Sequence, residues 1–191
     1  MTLTSPILAD IALDVAYLAD LINRTCKQRK LNGHDFQEAV LLLCYRLINF
    51  CPINEPGAVN DLDRLCQLTL ITFLTTLLLE YGRNPARYNL LSGNLGTTMR
   101  QTTCLGTNAS FVLWCIFVGG IAVFNADDDQ WMWPLLSRIC QQCELSSWAE
   151  VRDILISFAW IKPIHDKPGK ALWETFTDSS KGLPSGDRPT T

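Results

Sequence analysis

Apolar residues recur every three or four positions along most of the chain, and no stretch alternates as a strand would. Pro6 behind Thr4 and Ser5 opens a first helix running to about Cys26, with Ile7, Ile11, Val15, Leu18 and Ile22 on one face. Asp35 with Glu38 reads as a capping pair for a second, about Asp35 to Cys51, which Pro52 stops. Asn60 or Asp61 caps a third, whose broad stripe (Leu62, Leu65, Cys66, Leu70, Phe73, Leu74, Leu77, Leu78) is joined by Leu68, Ile71 and Leu79 off the stripe. That pattern predicts burial nearly all round. Pro85 opens a weaker fourth helix containing RYNLLSGNLGTTMRQ, interrupted by Gly93 and Gly96. The fifth is FVLWCIFVGGIAVF, Phe111 to Phe124, with no charge in it. A sixth, about Asp128 to Glu144, carries Met132, Leu135, Leu136, Ile139, Cys140 and Cys143 on one stripe, with Pro134 in its first turn. Ser147 with Glu150 forms a capping box for a seventh, where Trp148, Val151, Leu155 and Phe158 share a face.

The expected architecture is therefore all-α, a single domain of about seven to eight helices. Residues 1–32 form the N-terminal helix and a linker, 33–176 the helical domain, and 177–191 have the composition of a disordered tail. The charge-free fifth stretch reaches only about two thirds of the way across a ~30 Å hydrocarbon core at ~1.5 Å per residue, and Asp127, Asp128 and Asp129 close it. It reads as a buried helix. Gly119 and Gly120 within it cost roughly 1 kcal/mol each against Ala, which predicts close approach of another helix. The N-terminus has no basic run and places Asp10 and Asp14 inside the apolar pattern, unlike a signal peptide, so the chain is expected to be soluble and intracellular.

Charge and cysteines narrow the function classes. A net charge of −3 gives no general attraction to phosphate backbones. The one basic cluster, Lys27, Arg29 and Lys30, suits a helix C-terminus, with weak nuclear import the sharper alternative. The eight cysteines fall mostly in apolar runs and read as reduced core residues. The positive mean hydropathy is high for a lone soluble monomer and points to a partner surface.

No catalytic constellation emerges, and no metal or cofactor site is expected. Cys140-x-x-Cys143 lacks a second pair of ligands and lies on the apolar stripe. His34-Asp35 and His165-Asp166 resemble pairs in metal-dependent phosphohydrolases, yet the chain has only two His in all, and Asp35 is better used as a cap. Glu150 with Asp153 are acids in a first helical turn, where the dipole favours them. Gly93-x-x-Gly96 has no phosphate-loop lysine, and no G-x-S-x-G occurs.

The C-terminal order of motifs is more specific. LWCIFVGGIAVF is followed by DDDQWMWPLL, then SSWAEVRDILISFAWI and HDKPGKALWE. This order resembles the fungal-specific transcription factor domain, the all-helical regulatory region that accompanies binuclear zinc cluster activators. The matching residues are Trp114, Phe117, Val118, Gly119, Gly120, Ile121 and Ala122, then Ser147, Trp148, Glu150, Val151 and Arg152, then Pro168, Gly169, Leu172 and Trp173. The resemblance covers roughly Gly33 to Phe176, looser before Leu113. It implies regulation of transcription in the nucleus through a protein partner or homodimer, with a small-molecule effector as a further option. The six-cysteine cluster that reads DNA in that family is not among these residues, so zinc and direct DNA contact are not carried over. Two alternatives stand beside it: a helical metal-dependent hydrolase using His165 and Asp166, and a non-enzymatic dimerisation scaffold, both cytoplasmic.

Overall fold

The computed structural model describes residues 3–25, 32–54, 59–78, 88–102 and 108–181. In it the apolar stripes close on one another as eight helices: α1 Pro6–Thr25, α2 Gly33–Phe50, α3 Asp61–Leu78, α4 Asn89–Gln101, α5 Ala109–Ala122, α6 Asp129–Gln142, α7 Trp148–Ile156 and α8 Lys162–Lys181. No strand occurs among the described residues, and their buried side chains form one core cluster that includes α1. The fold is all-α. No described helix is long and apolar enough to cross a membrane.

The two central helices are α3 and α5, packed against each other. Every residue from Asp63 to Thr75 is buried, as the pattern predicts, although the last turn emerges and leaves Leu78 exposed. Threonine tolerates this position because Thr69 and Thr72 donate their hydroxyls to the carbonyls of Leu65 and Leu68, each at 2.8 Å, so the helix itself satisfies them. α5 is buried on all sides from Phe111 to Gly119. α1, α2 and α4 flank α3, while α6, α7 and α8 flank α5.

The charged first turns of α3 hold its neighbours in place. Asn60 caps α3 by accepting from the Asp63 N–H at 2.9 Å. The Asp63 carboxylate, 2% exposed, accepts from the backbone N–H of Thr4 and Ser5, both at 3.1 Å, and from the Thr4 hydroxyl at 2.6 Å, so it fixes the entry to α1. Arg64 donates to the carbonyls of Pro52 and Ile53 at 3.1 and 2.6 Å and to Gln67 Oε1 at 2.8 Å. Gln67 in turn donates to the carbonyls of Leu47, at 2.7 Å, and Cys51. These side chains satisfy the carbonyls that the end of α2 leaves open.

Several local expectations change. Ile7 is 62% exposed, because the buried stripe of α1 runs through Leu8, Ile11, Val15, Leu18, Ala19 and Ile22, and Leu8 takes the place Ile7 was given. Asp35 does not cap α2: Asn32 does, accepting from the His34 N–H at 3.1 Å, which starts the helix earlier and leaves Asp35 and Glu38 exposed. Pro134 lies one turn further into α6 than expected, on its exposed side. The capping box of Ser147 and Glu150 is present. The chain stays helical past Thr177, through Lys181; its stripe of His165, Gly169, Trp173 and Phe176 docks on the rest of the fold and overrides the breakers Pro163, Pro168 and Gly169. Cys26, Pro85, Leu79, the basic cluster Lys27, Arg29 and Lys30, and residues 182–191 lie outside the described residues.

Candidate functional site

Nearly all the positions that carry the resemblance meet at one junction, where α5, α7 and α8 pack together. Trp114 of α5 donates its indole N–H to the Ala159 carbonyl at 2.9 Å, and Phe117 lies 5.9 Å from the Trp148 ring of α7. Val151 is fully buried. Gly169 of α8 lies beneath two indoles: a Cβ there would sit 2.8 Å from Trp148 and 3.1 Å from Trp160. Leu172 reaches Gly120, where a Cβ would meet its Cδ2 at 2.7 Å, and Trp173 meets Phe176 at a tilt, ring centroids 5.6 Å apart. The two glycines of α5 do different things. Gly120 admits another helix, as expected, but Gly119 admits Phe124 of its own chain, 2.2 Å from an added Cβ, because Val123 and Phe124 both fold back to donate to the Gly119 carbonyl.

The charged positions of the junction serve the same packing. Glu150 Oε2 accepts from the Ser146 N–H at 2.8 Å, the Ser147 N–H at 2.9 Å and the Ser146 hydroxyl at 3.1 Å, and these bonds, led by the Ser146 N–H, hold its carboxyl below the usual range. Asp166 takes Arg152 Nη2 at 2.8 Å on one oxygen and the Trp160 indole N–H at 2.9 Å on the other. Partial burial pushes Asp166 up, but the bonds from Arg152 and Trp160 and the charges of Arg152 and Lys162 outweigh it, so its pKa lies below the ordinary 3.8. The same bond raises Arg152. A depressed carboxyl contributes stability that is present above its unfolded value and lost as pH falls through its folded value. The urea midpoint is therefore expected to decline below about pH 4, and the decline in Asp166→Asn, already weaker at neutral pH, is expected to be shallower. Parallel declines in both proteins would remove Asp166 from this account.

His165 is 1% exposed and sits between Phe73 and Trp160, with ring centroids 5.1 and 5.0 Å away. Its Nδ1 accepts from the Ile161 N–H at 3.0 Å, which places the proton on Nε2, 2.8 Å from the Thr76 hydroxyl oxygen. Both nitrogens are thus engaged inside the core, and Asp166 points to Arg152 and Trp160 instead. His34 is exposed at the start of α2. Cys140 is buried and Cys143 half-buried; burial, and then Cys143, push the Cys140 thiol up to about 11, while Cys66 is pushed up to about 12 by burial and then by Asp63. Such thiols stay protonated and inert at neutral pH. No group of three or more His, Cys, Asp or Glu among the described residues is placed to hold a metal ion.

No model of a known family, no curated protein and no solved structure matches the chain. Its surface is what remains informative. Leu13, Tyr17 and Leu21 recur every four residues on the outer side of α1, with Ile7 at the start of that helix, and Leu41, Leu42, Tyr45 and Ile48 line the outer side of α2. Tyr17 is 72% and Tyr45 67% exposed. Asp14 of α1 pairs with Arg46 of α2, so the two helices that carry these stripes lie side by side. Eight large apolar side chains thus stand at about half exposure or more on two neighbouring helices, a concentration of apolar surface that marks a contact site. Sequence reading sensed this only as a high mean hydropathy. The helical spacing of a second apolar stripe on each helix was the signal that could have located it.

Proposed function

We propose that this chain is a regulatory domain of the fungal transcription factor type that works by protein contact, through the outer face of α1 and α2. That face carries the proposal. It gathers eight exposed large apolar side chains, two of them tyrosines, a residue favoured at interface cores. The convergence of the resembling positions at the α5, α7 and α8 junction supports the family reading as a shared way of packing, with α1 and α2 left to do the recognition. The proposed occupant is a protein partner or a second copy, and the place of action is the nucleus. Direct DNA reading is not part of the proposal, since Asp10, Asp35 and Glu38 border the face and the net charge is −3.

The test is to fuse the chain to an unrelated DNA-binding domain and measure a reporter carrying that domain's site in a fungal host. Transcription is expected to change at least fivefold relative to the DNA-binding domain alone. An unchanged reporter, with the fusion present at normal level in the nucleus, would refute the transcriptional reading. The metal-hydrolase alternative gains no support from a histidine whose two nitrogens are already bonded.

A further inference from the structure

Beside the outer face, α1 borders a cleft of about 450 Å³. Ala9, Ala12 and Ala16, spaced by three and four, line it from α1 with methyl groups, and Leu13 stands at its edge. The opposite wall is aromatic: Trp114 and Phe158 stack at 5.6 Å and 19°, and Phe111 lies 5.9 Å from Trp114 and 6.0 Å from Phe158. Cys66 and Leu70 of α3 also line it, and no charged side chain does. The Trp114 indole N–H is committed to the Ala159 carbonyl. Ser157, the one hydroxyl among the lining residues, donates to the Ile154 carbonyl at 2.6 Å and keeps its lone pairs to accept.

We propose that this cleft binds a neutral, flat, apolar small molecule of two to three rings with one hydrogen-bond donor directed at Ser157. Its volume falls in the ~300–1,000 Å³ of small-molecule sites. A charged ligand would leave water without a counter-charge to meet it, and a wall of tilted and stacked rings complements another aromatic face. Leu13 lines the cleft and also belongs to the exposed apolar face, so an occupied cleft bears on the surface proposed above. Binding itself does not rest on the transcriptional reading, and the two fail separately.

The probe is N-phenyl-1-naphthylamine, a neutral three-ring amine whose fluorescence rises in apolar surroundings, titrated into the purified chain. One saturable site is expected, with quenching of tryptophan emission. Ala12→Phe, which fills the cleft, should weaken binding at least tenfold with the melting temperature kept. Ala16→Phe, at an exposed position that leaves the core untouched, should weaken it in the same direction should Ala12→Phe fail to fold. Tyr45→Glu, on the outer face, should leave it unchanged. Unsaturable binding, unaltered binding in the alanine variants, or loss of binding in Tyr45→Glu would overturn the proposal.

Discussion

Gly119→Leu is expected to lower the melting temperature by about 2–12 °C. A Cβ at this position falls 2.2 Å from Phe124 Cε2 and within 2.9 Å of two further ring atoms. The ring has nowhere to go, because Phe124 is buried and meets Trp131 edge to face at 5.1 Å. Overpacking costs ~1–3 kcal/mol and occasionally more, and in a domain of this size each kcal/mol moves the midpoint by ~2–4 °C. Gly120→Ala should behave differently. The atom it meets is the tip of a half-buried Leu172, which can turn away, and alanine regains ~1 kcal/mol of helix propensity. Calorimetry of the three proteins settles the order: a Gly119→Leu melting like wild type, or a Gly120→Ala that melts lower than Gly119→Leu, would show that the turn after α5 is built in some other way.

Arg64→Met is expected to cost about 3 kcal/mol, read as a lower urea midpoint with an unchanged slope. Arg64 is 8% exposed, and its guanidinium donates to the Pro52 and Ile53 carbonyls and to Gln67. Methionine fills much of the volume but withdraws the donor from the Pro52 carbonyl and Gln67 Oε1, while the Ile53 carbonyl keeps Asn94 Nδ2 at 2.8 Å, and each buried group so stranded costs ~1–3 kcal/mol. Hydrogen exchange should report the loss at the end of α2 and in residues 51–53 before α4 responds. A midpoint within error of wild type would mean that water replaces the arginine at no cost.

These two cases mark what the chain order discloses and what it hides. The burial of α3 and α5 on every side was legible because each is a long apolar run bracketed by charge. The roles of Asp63, Arg64 and Gln67 were not, since their partners are backbone groups of Thr4, Ser5, Leu47 and residues 51–53, up to 59 positions away. The capping box at Ser147 is local and was readable, whereas the cap of α2 went to Asn32 rather than Asp35 because two polar residues competed three positions apart. α8 was hidden by Pro168 and Gly169. Only the tertiary structure explains that glycine, which makes room for Trp148 and Trp160. His165 and Asp166 looked like chemistry because they are adjacent in the chain, yet α8 turns one into the core and the other toward Arg152.

The role of the outer face of α1 and α2 is tested most directly by the reporter fusion when the face itself is changed. Tyr17 and Tyr45 are both more than two-thirds exposed or close to it, so Tyr17→Glu with Tyr45→Glu leaves the core intact and should keep the melting temperature. This double variant, at equal nuclear level, is expected to lose the reporter response of the wild-type chain. A folded double variant with full response would contradict it.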